Sequence, residues 1–311
     1  MSTRIEDMLF INYNFVACPS YHGATLISCL LNNHPLVTAL GDTIPAKKFV
    51  EGDTLCGCGE SISKCEFWQY VFNEMNPNRI YRDGHILPVY PVVFANENAN
   101  RQMFRILGYL DIYYGINLWS IFKKQLNVFF NIYNKYYNII TEYQNTKYFI
   151  DGQKNIIKMM VLKNRAEEKK KIKILHILRD PRAVYFSYMR RGRNITTYRF
   201  TKTWTNYHKR MMKLKERFGP EKVMMLQYEK LCEEPERYTK MIQEFYEMPE
   251  NELLTSNNYD DRKHVIGNKM IANFDGMVTL DTRWVDSMNP EEKREIVRLT
   301  EPLFSQVGYT E

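Results

Sequence analysis

The stretch FINYNFVACPSYHGATLISCLLNNHP (residues 10–35) decides the fold class. Apolar residues over 8–18 predict a buried strand, and apolar residues at helical spacing over 24–33 predict a helix. The turn between them contains a glycine, and α/β proteins hold phosphate at such a turn because the helix N-terminus offers backbone N–H groups. The second glycine and the Lys-Ser/Thr pair of a nucleotide triphosphatase loop are both missing. The sequence therefore predicts an anion site in which something replaces that lysine.

The rest of the chain alternates between strand and helix patterns, which indicates an α/β fold around a mostly parallel central sheet flanked by helices. Residues 96–147 differ in being rich in Tyr, Asn, Phe and Ile at helical spacing, and they predict two helices. We therefore expect a single domain over 1–311 with a helical, aromatic-rich insertion. Beyond the opening stretch, strands are predicted at 147–152, 172–181 and 221–231, and helices at 183–192, 233–248 and 290–309.

The formal net charge of +7 is unevenly distributed. Between Lys154 and Lys222 lie 21 of the 43 lysines and arginines, against five acidic residues, which favours an anionic ligand. No run of 18 apolar residues indicates a membrane span, and the first ten residues do not resemble a secretory signal. These features predict a cytoplasmic protein without membrane attachment.

Three of the six cysteines, Cys56, Cys58 and Cys65, lie close together in LCGCGESISKCEFW (residues 55–68). Such a cluster raises the possibility of zinc, but no fourth ligand stands at the spacing typical of a zinc finger. The sequence alone therefore favours a local turn with reduced thiols and predicts no metal site.

A second candidate phosphate site lies in LRDPRAVYFSYMRRG (residues 178–192). Arg179 follows a predicted strand, and Ser187 lies eight residues later in the next predicted helix. Asp180-Pro181 places a turn between them. A guanidinium and a hydroxyl brought together in this way can bind one phosphate, with the arginine forming charge-assisted hydrogen bonds.

With these two motifs the chain resembles sulfotransferases that use 3′-phosphoadenosine 5′-phosphosulfate (PAPS). The central sheet of that family is similar to that of P-loop NTPases. RDPRAVYFS (179–187) resembles their 3′-phosphate-binding segment, and PSYHGATLISCLLNNHP (19–35) resembles their 5′-phosphosulfate loop. The segments QYEKLCEEPE (227–236) and HVIGNKM (264–270) are also similar to segments of the family. The family loop usually carries Arg or Lys where this chain has Tyr21 and His22, so His22 is the expected substitute for that cation.

The resemblance implies PAPS as the donor substrate, in-line transfer and no metal. It also implies three candidate catalytic residues, with His22 or Asp42 as the general base and Lys154 beside the sulfonate or the acceptor; His85 is a weaker candidate base. Adenine is expected near Tyr228, with Trp68 as a second aromatic candidate. The implied donor-binding residues are Ser20, Tyr21, His22, Gly23, Ala24, Thr25, Leu26, Arg179, Ser187, Tyr228, Gly267, Asn268 and Lys269.

Two other functions compete with this interpretation. A nucleotide or small-molecule kinase would also use a loop between strand and helix, although the missing Gly-Lys-Ser/Thr run argues against it. A nucleic-acid-binding protein would use the basic region, but its cations cluster around RDPR and RRGR instead of forming a recognition motif. We expect a small-molecule acceptor with a hydroxyl or an amine, no nucleic-acid partner, and a monomer or homodimer.

Overall fold

The computed structural model describes residues 13–41, 54–75, 87–152, 154–165, 172–251, 264–266 and 277–310. Strands and helices alternate along most of these residues, as the sequence predicts. The strands are β1 (Tyr13–Ala17), β2 (Val37–Ala39), β3 (Tyr148–Asp151), β4 (Ile172–Leu178) and β5 (Val223–Gln227). The helices are α1 (Ala24–Leu31), α2 (Glu66–Met75), α3 (Glu97–Tyr114), α4 (Lys123–Gln144), α5 (Ile156–Arg165), α6 (Pro181–Arg190), α7 (Thr197–Phe218), α8 (Tyr228–Glu233), α9 (Pro235–Phe245), α10 (Arg283–Ser287), α11 (Pro290–Thr300) and α12 (Leu303–Gln306).

The five strands form one parallel sheet in the order β2-β3-β1-β4-β5. Strand β1 is central, and its last residue Ala17 is level with His176 of β4. From β1 the chain passes first to the edge strand β2 and then back to β3, and it next crosses to β4 and β5 on the other side of β1, so the connections reverse beside β1. In open parallel sheets, ligands bind at this reversal, outside the carboxyl ends of the strands. The α/β fold with a parallel sheet flanked by helices is confirmed.

Alternate strand residues supply hydrophobic cores on the two faces of the sheet, because successive side chains of a strand point to opposite faces. Tyr13 and Phe15 pack into one core with α3, α4, α5 and α7. Val16 packs into the other core with α1, α8 and α9. The sheet is thus buried on both sides, and only its ends are left to carry a site.

The two helices predicted within 96–147 are present as α3 and α4, joined through a short 3₁₀ turn at Trp119–Phe122. The long C-terminal helix predicted at 290–309 is instead divided into α11 and α12. Pro302 lies at the division, and its ring nitrogen has no hydrogen to donate to a helical carbonyl. The helices α2, α5, α7 and α10 were not predicted, although α7 is 22 residues long. The strand predicted at 221–231 is too long, because β5 ends at Gln227 and α8 begins at Tyr228.

Candidate active site

The predicted phosphate-binding residues meet at the carboxyl edge of the sheet. The loop from Cys18 to Gly23 follows β1, Arg179 follows β4, and Tyr228 follows β5. Parallel pairing brings the ends of these strands side by side, so segments far apart in sequence share one crevice.

The loop after β1 turns sharply into α1. Tyr21 and Gly23 both have left-handed backbone angles, with φ of 67° and 96°. Gly23 is the N-cap of α1 and supplies no side-chain cap. An anion can therefore accept hydrogen bonds from the first turn of this helix, where the helix dipole also favours negative charge.

Gly23, Tyr228 and Arg179 form a stack that fixes the shape of the loop. A Cβ atom on Gly23 would lie 2.4 Å from Cδ2 of Tyr228, so the ring packs directly on the glycine. The guanidinium carbon of Arg179 lies 4.5 Å from the centroid of the same ring. Tyr228 thus holds the glycine and the arginine in place; the predicted contact between Tyr228 and adenine stays a prediction.

Arg179 links the two predicted phosphate motifs. Its Nη1 donates a hydrogen bond of 2.8 Å to the carbonyl of Tyr21, and the residue is 7% exposed. Its Nε is buried and has no hydrogen-bond partner among the described residues. A buried N–H without an acceptor is costly, and a phosphate oxygen of a ligand would remove that cost. The arginine therefore fits the phosphate-binding role that the sequence assigns to it.

The turn after Arg179 is held by its own hydrogen-bond network. The side chain of Asp180 caps α6 by accepting from the backbone N–H of Arg182, and Pro181 occupies the first helical position. Glu229 accepts from the backbone N–H of Asp180 at 2.9 Å. Two turns into α6, the Ser187 hydroxyl donates to the carbonyl of Ala183 at 2.9 Å and would need to rotate to meet a phosphate.

His22 belongs to a buried chain of three histidines beneath the loop. Its Nδ1 lies 3.0 Å from the carbonyl of Ser20, and its Nε2 lies 3.1 Å from Nε2 of His208. Nδ1 of His208 then meets Nε2 of His176 at 2.8 Å, and Nδ1 of His176 meets the carbonyl of Ala17 at 2.7 Å. Both ring nitrogens of His22 are thus engaged in a side chain that is 1% exposed. In this arrangement no nitrogen of His22 is left for an acceptor substrate.

The three histidines and the two terminal carbonyls are joined by four hydrogen-bond contacts, and each contact needs one proton. Three neutral imidazoles supply only three protons, and the carbonyls at the two ends only accept. One contact is therefore left without a proton unless the three histidines together gain a fourth proton and become a cation. Burial opposes that charge: it lowers the pKa of His22 to about 3 and that of His176 to about 4, and it lowers the pKa of His208 as well.

These shifts predict that the protein loses stability on acidification. Between the folded pKa values of about 3–4 and the unfolded value of 6.5, the unfolded chain binds protons that the folded chain refuses. The free energy of unfolding should therefore fall as the pH drops from about 6.5 towards 4, by up to about 1.4 kcal/mol per pH unit for each histidine. Urea unfolding of the wild type and of His208→Asn at pH 7, 6 and 5 measures this. A slope that His208→Asn leaves unchanged would contradict the shift.

A cavity of about 430 Å³ lies beside the loop, between α3, α7 and the start of α5. Four cationic side chains line it, and none of the described residues in its walls is acidic. Lys154 relates the cavity to the loop, because its charge acts on Tyr188, whose ring packs against Tyr21 of the loop. The rings of Tyr188 and Tyr21 lie 4.7 Å apart. The cations are Lys154, Arg101, Arg105 and Arg210.

Several sequence-predicted site residues, namely Asp42, His85, Gly267, Asn268 and Lys269, lie outside the described residues. Trp68 is fully buried against Phe67 and Phe72, and its ring packs in the core. No fourth ligand was expected at zinc-finger spacing, but a candidate lies much farther along the chain: Nδ1 of His264 is 3.3 Å from Sγ of Cys65.

Sequence reasoning missed His176 and His208. The available signal was a histidine inside the apolar strand IKILHIL (172–178), where a buried polar residue requires partners.

Comparison with known proteins gives a family match over part of the chain and a shared fold. Residues 116–252 match the model of the sulfotransferase family. The sulfotransferase domain from the Synechococcus PCC 7002 olefin synthase superposes with a TM-score of 0.54 at 14% identity, covering 97% of each chain. The sulfotransferase domain from the curacin biosynthetic pathway superposes with a TM-score of 0.51 at 14% identity, covering 97% of this chain and 99% of that one. No curated protein sequence matches the chain.

Within the described residues, none of the helices combines the length and apolar character needed to cross a bilayer. The family match spans the Arg179 turn and the strand leading to Tyr228. It favours a sulfotransferase over the kinase and nucleic-acid alternatives. Residues 116–252 thus match the sulfotransferase family, and the parallel sheet that joins the two predicted phosphate-binding turns has the fold of sulfotransferase domains.

Proposed function

We propose that this enzyme transfers the sulfuryl group of PAPS to a hydroxyl or amine of a small acceptor that carries an anionic group. The observation that carries the donor assignment is Arg179, whose buried Nε lacks a partner while its Nη1 braces the loop after β1. The glycine turn and the uncapped start of α1 support a 5′-phosphosulfate at the same edge.

In the proposed reaction, the acceptor oxygen or nitrogen attacks sulfur in line with the bond from sulfur to the phosphate oxygen. That bond breaks, the acceptor loses its proton to a base, and 3′,5′-adenosine diphosphate leaves. Positioning and stabilisation of the leaving phosphate supply most of the rate in such transfers, so we propose that the step itself needs no metal. Asp42, next along the chain from Gly41 at the end of β2, is the base we carry forward because His22 is fully engaged.

The loop has no arginine or lysine, and we assign to His22 the positive charge that such a residue would supply. A phosphosulfate above the loop would favour the fourth proton of the histidine chain, because negative charge nearby raises an imidazole pKa. The protonated chain would satisfy all four of its contacts and would place a positive charge beneath the anion. His22 would then act as a positioning residue in place of an arginine or lysine.

The proposal predicts that 3′,5′-adenosine diphosphate raises the melting temperature more than AMP does at equal concentration. Only the bisphosphate carries the 3′-phosphate that Arg179 and Ser187 are proposed to bind, and ligands stabilise the folded state according to their affinity. Thermal denaturation with each nucleotide makes the comparison. Equal shifts in melting temperature would contradict the proposed 3′-phosphate site.

The protonation of the three histidines has its own test. Titration calorimetry in buffers of different ionisation enthalpy would show whether about one proton is taken up on binding.

The cavity supports the acceptor class. Its rim has three arginines and Lys154, with no carboxylate among the described lining residues; such a wall favours an anionic ligand because it repels cations. Tyr109, Tyr113, Ile112 and Ile157 supply flat and apolar walls for a carbon skeleton. The Tyr207 hydroxyl is buried without a partner among the described residues and offers a further polar contact.

Arg105→Ala and Arg210→Ala should each lower kcat/KM for an anionic acceptor by about tenfold or more, since a contact with a charged group contributes about 1.5–3 kcal/mol. A suitable pair of probes is 4-hydroxyphenylpropanoate and its methyl ester. The acid should be the better substrate of the wild type, and both variants should bring it to the level of the ester. Arg199→Ala, an exposed arginine on α7, is the matched control. Equal rates for the acid and the ester in the wild type would contradict an anionic acceptor.

A further inference from the structure

Cys56, Cys58, Cys65 and His264 converge in space with their ligand atoms facing one another. All four atoms lie within 4.8 Å of one another. The sulfur of Cys65 lies 3.6 Å from that of Cys58 and 3.7 Å from that of Cys56. Nδ1 of His264 lies 3.3 Å from the sulfur of Cys65 and 3.5 Å from that of Cys56.

The four shorter separations, of 3.3–3.7 Å, are close to the edges of a tetrahedron around zinc. Zinc–sulfur bonds of about 2.3 Å and a zinc–nitrogen bond of about 2.0–2.1 Å give edges of about 3.8 Å between sulfurs and about 3.6 Å between sulfur and nitrogen. A disulfide would instead require two sulfurs about 2.05 Å apart. Three thiols and an imidazole form the donor set that zinc prefers among the common biological metals.

The backbone around the cysteines is already folded into a tight hairpin. Leu55 pairs with Ser61 in an antiparallel bridge, and the N–H of Cys56 donates to the carbonyl of Glu60 at 2.8 Å. The N–H of Cys65 donates to the carbonyl of Ser61 at 2.8 Å. These local bonds aim the three thiols at one point without help from the fourth ligand.

His264 lies far from the three cysteines in the sequence, and contacts hold its ring in a defined orientation. Its ring stacks on Phe67 with centroids 4.4 Å apart and an interplanar angle of 12°. The N–H of Gly57 donates to the carbonyl of Val265 at 3.0 Å and fastens the two segments next to the ligands. His264 follows Cys65 by 199 residues, so no finger spacing in the sequence could identify it.

We propose that Cys56, Cys58, Cys65 and His264 bind one zinc ion as a structural site. All four tetrahedral positions are taken by protein side chains, which leaves no open position for a substrate. The ion would clasp the hairpin at 54–65 to the segment 264–266, whose Ile266 N–H donates to Leu40 at the end of β2. The proposal stands apart from the proposed donor and acceptor, because it rests on a cluster outside the phosphate-binding loops.

The test is the metal content of the full chain, purified under reducing conditions without added metal or chelator and measured by plasma mass spectrometry. We expect about one zinc per chain in the wild type and in Cys29→Ala, a buried cysteine in α1 outside the cluster. Cys58→Ser and His264→Gln should lose the zinc and lower the Tm. Cys58 is the exposed member of the cluster, so its replacement perturbs the core least.

Cobalt replacement keeps the proposal falsifiable if a variant does not fold. Folded wild type loaded with Co²⁺ should show the absorption of tetrahedral cobalt with strong thiolate-to-cobalt charge transfer. Purified protein without zinc that also takes up neither Zn²⁺ nor Co²⁺ after reduction would overturn the site. So would a disulfide between two of the three cysteines in the native protein, or zinc that remains bound in Cys58→Ser and His264→Gln.

Discussion

Arg179→Ala is expected to weaken binding of 3′,5′-adenosine diphosphate by about 100-fold or more and to remove most of the sulfuryl transfer. Two charge-assisted contacts with a phosphate at about 1.5 kcal/mol each give a loss of this size. The variant also loses the hydrogen bond to the carbonyl of Tyr21 and the contact with the Tyr228 ring, so the loop would lose its brace as well. Calorimetric titration with the bisphosphate gives the affinity.

Two further variants separate a specific phosphate contact from general charge. Arg179→Lys keeps the charge but cannot reach the Tyr21 carbonyl and a phosphate at once with a planar fork of donors, so it should restore only a small part of the affinity. Arg199→Ala removes an exposed positive charge from α7 and should leave affinity within about twofold. If Arg199→Ala weakens binding as much as Arg179→Ala, the basic surface as a whole attracts the nucleotide and the proposed site is wrong.

Gly23→Ala is expected to lower activity by about 100-fold or more and to reduce stability by about 1–3 kcal/mol. The glycine has φ of 96°, which disfavours any residue with a Cβ, and the new methyl group would lie 2.4 Å from the ring of Tyr228. Either the ring or the loop must move. Both hold the phosphate-binding geometry, so donor binding should fall together with kcat/KM, as measured by steady-state kinetics and thermal denaturation.

The steric and the conformational parts of this effect can be separated. Gly192→Ala introduces a Cβ at a φ of 66° with no atom within 4 Å, so it should show only the conformational cost and keep near wild-type activity. Replacing the aromatic ring by Tyr228→Leu in the Gly23→Ala protein should recover part of the lost Tm if the new methyl group collides with that ring. No recovery in the double variant, together with an equal loss in Gly192→Ala, would show that packing against Tyr228 is unimportant.

The sequence was most informative where the pattern is local. Apolar runs and glycine or proline turns predicted the strands β1, β3, β4 and β5 and the helices α1, α6 and α9, because burial on both faces of a sheet requires such runs. The resemblance to sulfotransferases then indicated two candidate phosphate-binding turns, and the parallel sheet explains why Gly23 and Arg179 meet. Sequence alone failed at α7, whose basic surface concealed an apolar stripe that includes Trp204 and Met211.

By itself, then, the sequence determined the α/β class, the resemblance to sulfotransferases and the two turns at the carboxyl edge, since each depends on neighbouring residues and strand direction. Only the tertiary structure decided what surrounds those turns. It placed Tyr228 on Gly23, linked His22 through His208 to His176, and brought His264 to cysteines 199 residues away. The physical reason is that helix packing and loop docking bring these groups together, and neither leaves a fixed spacing in the chain.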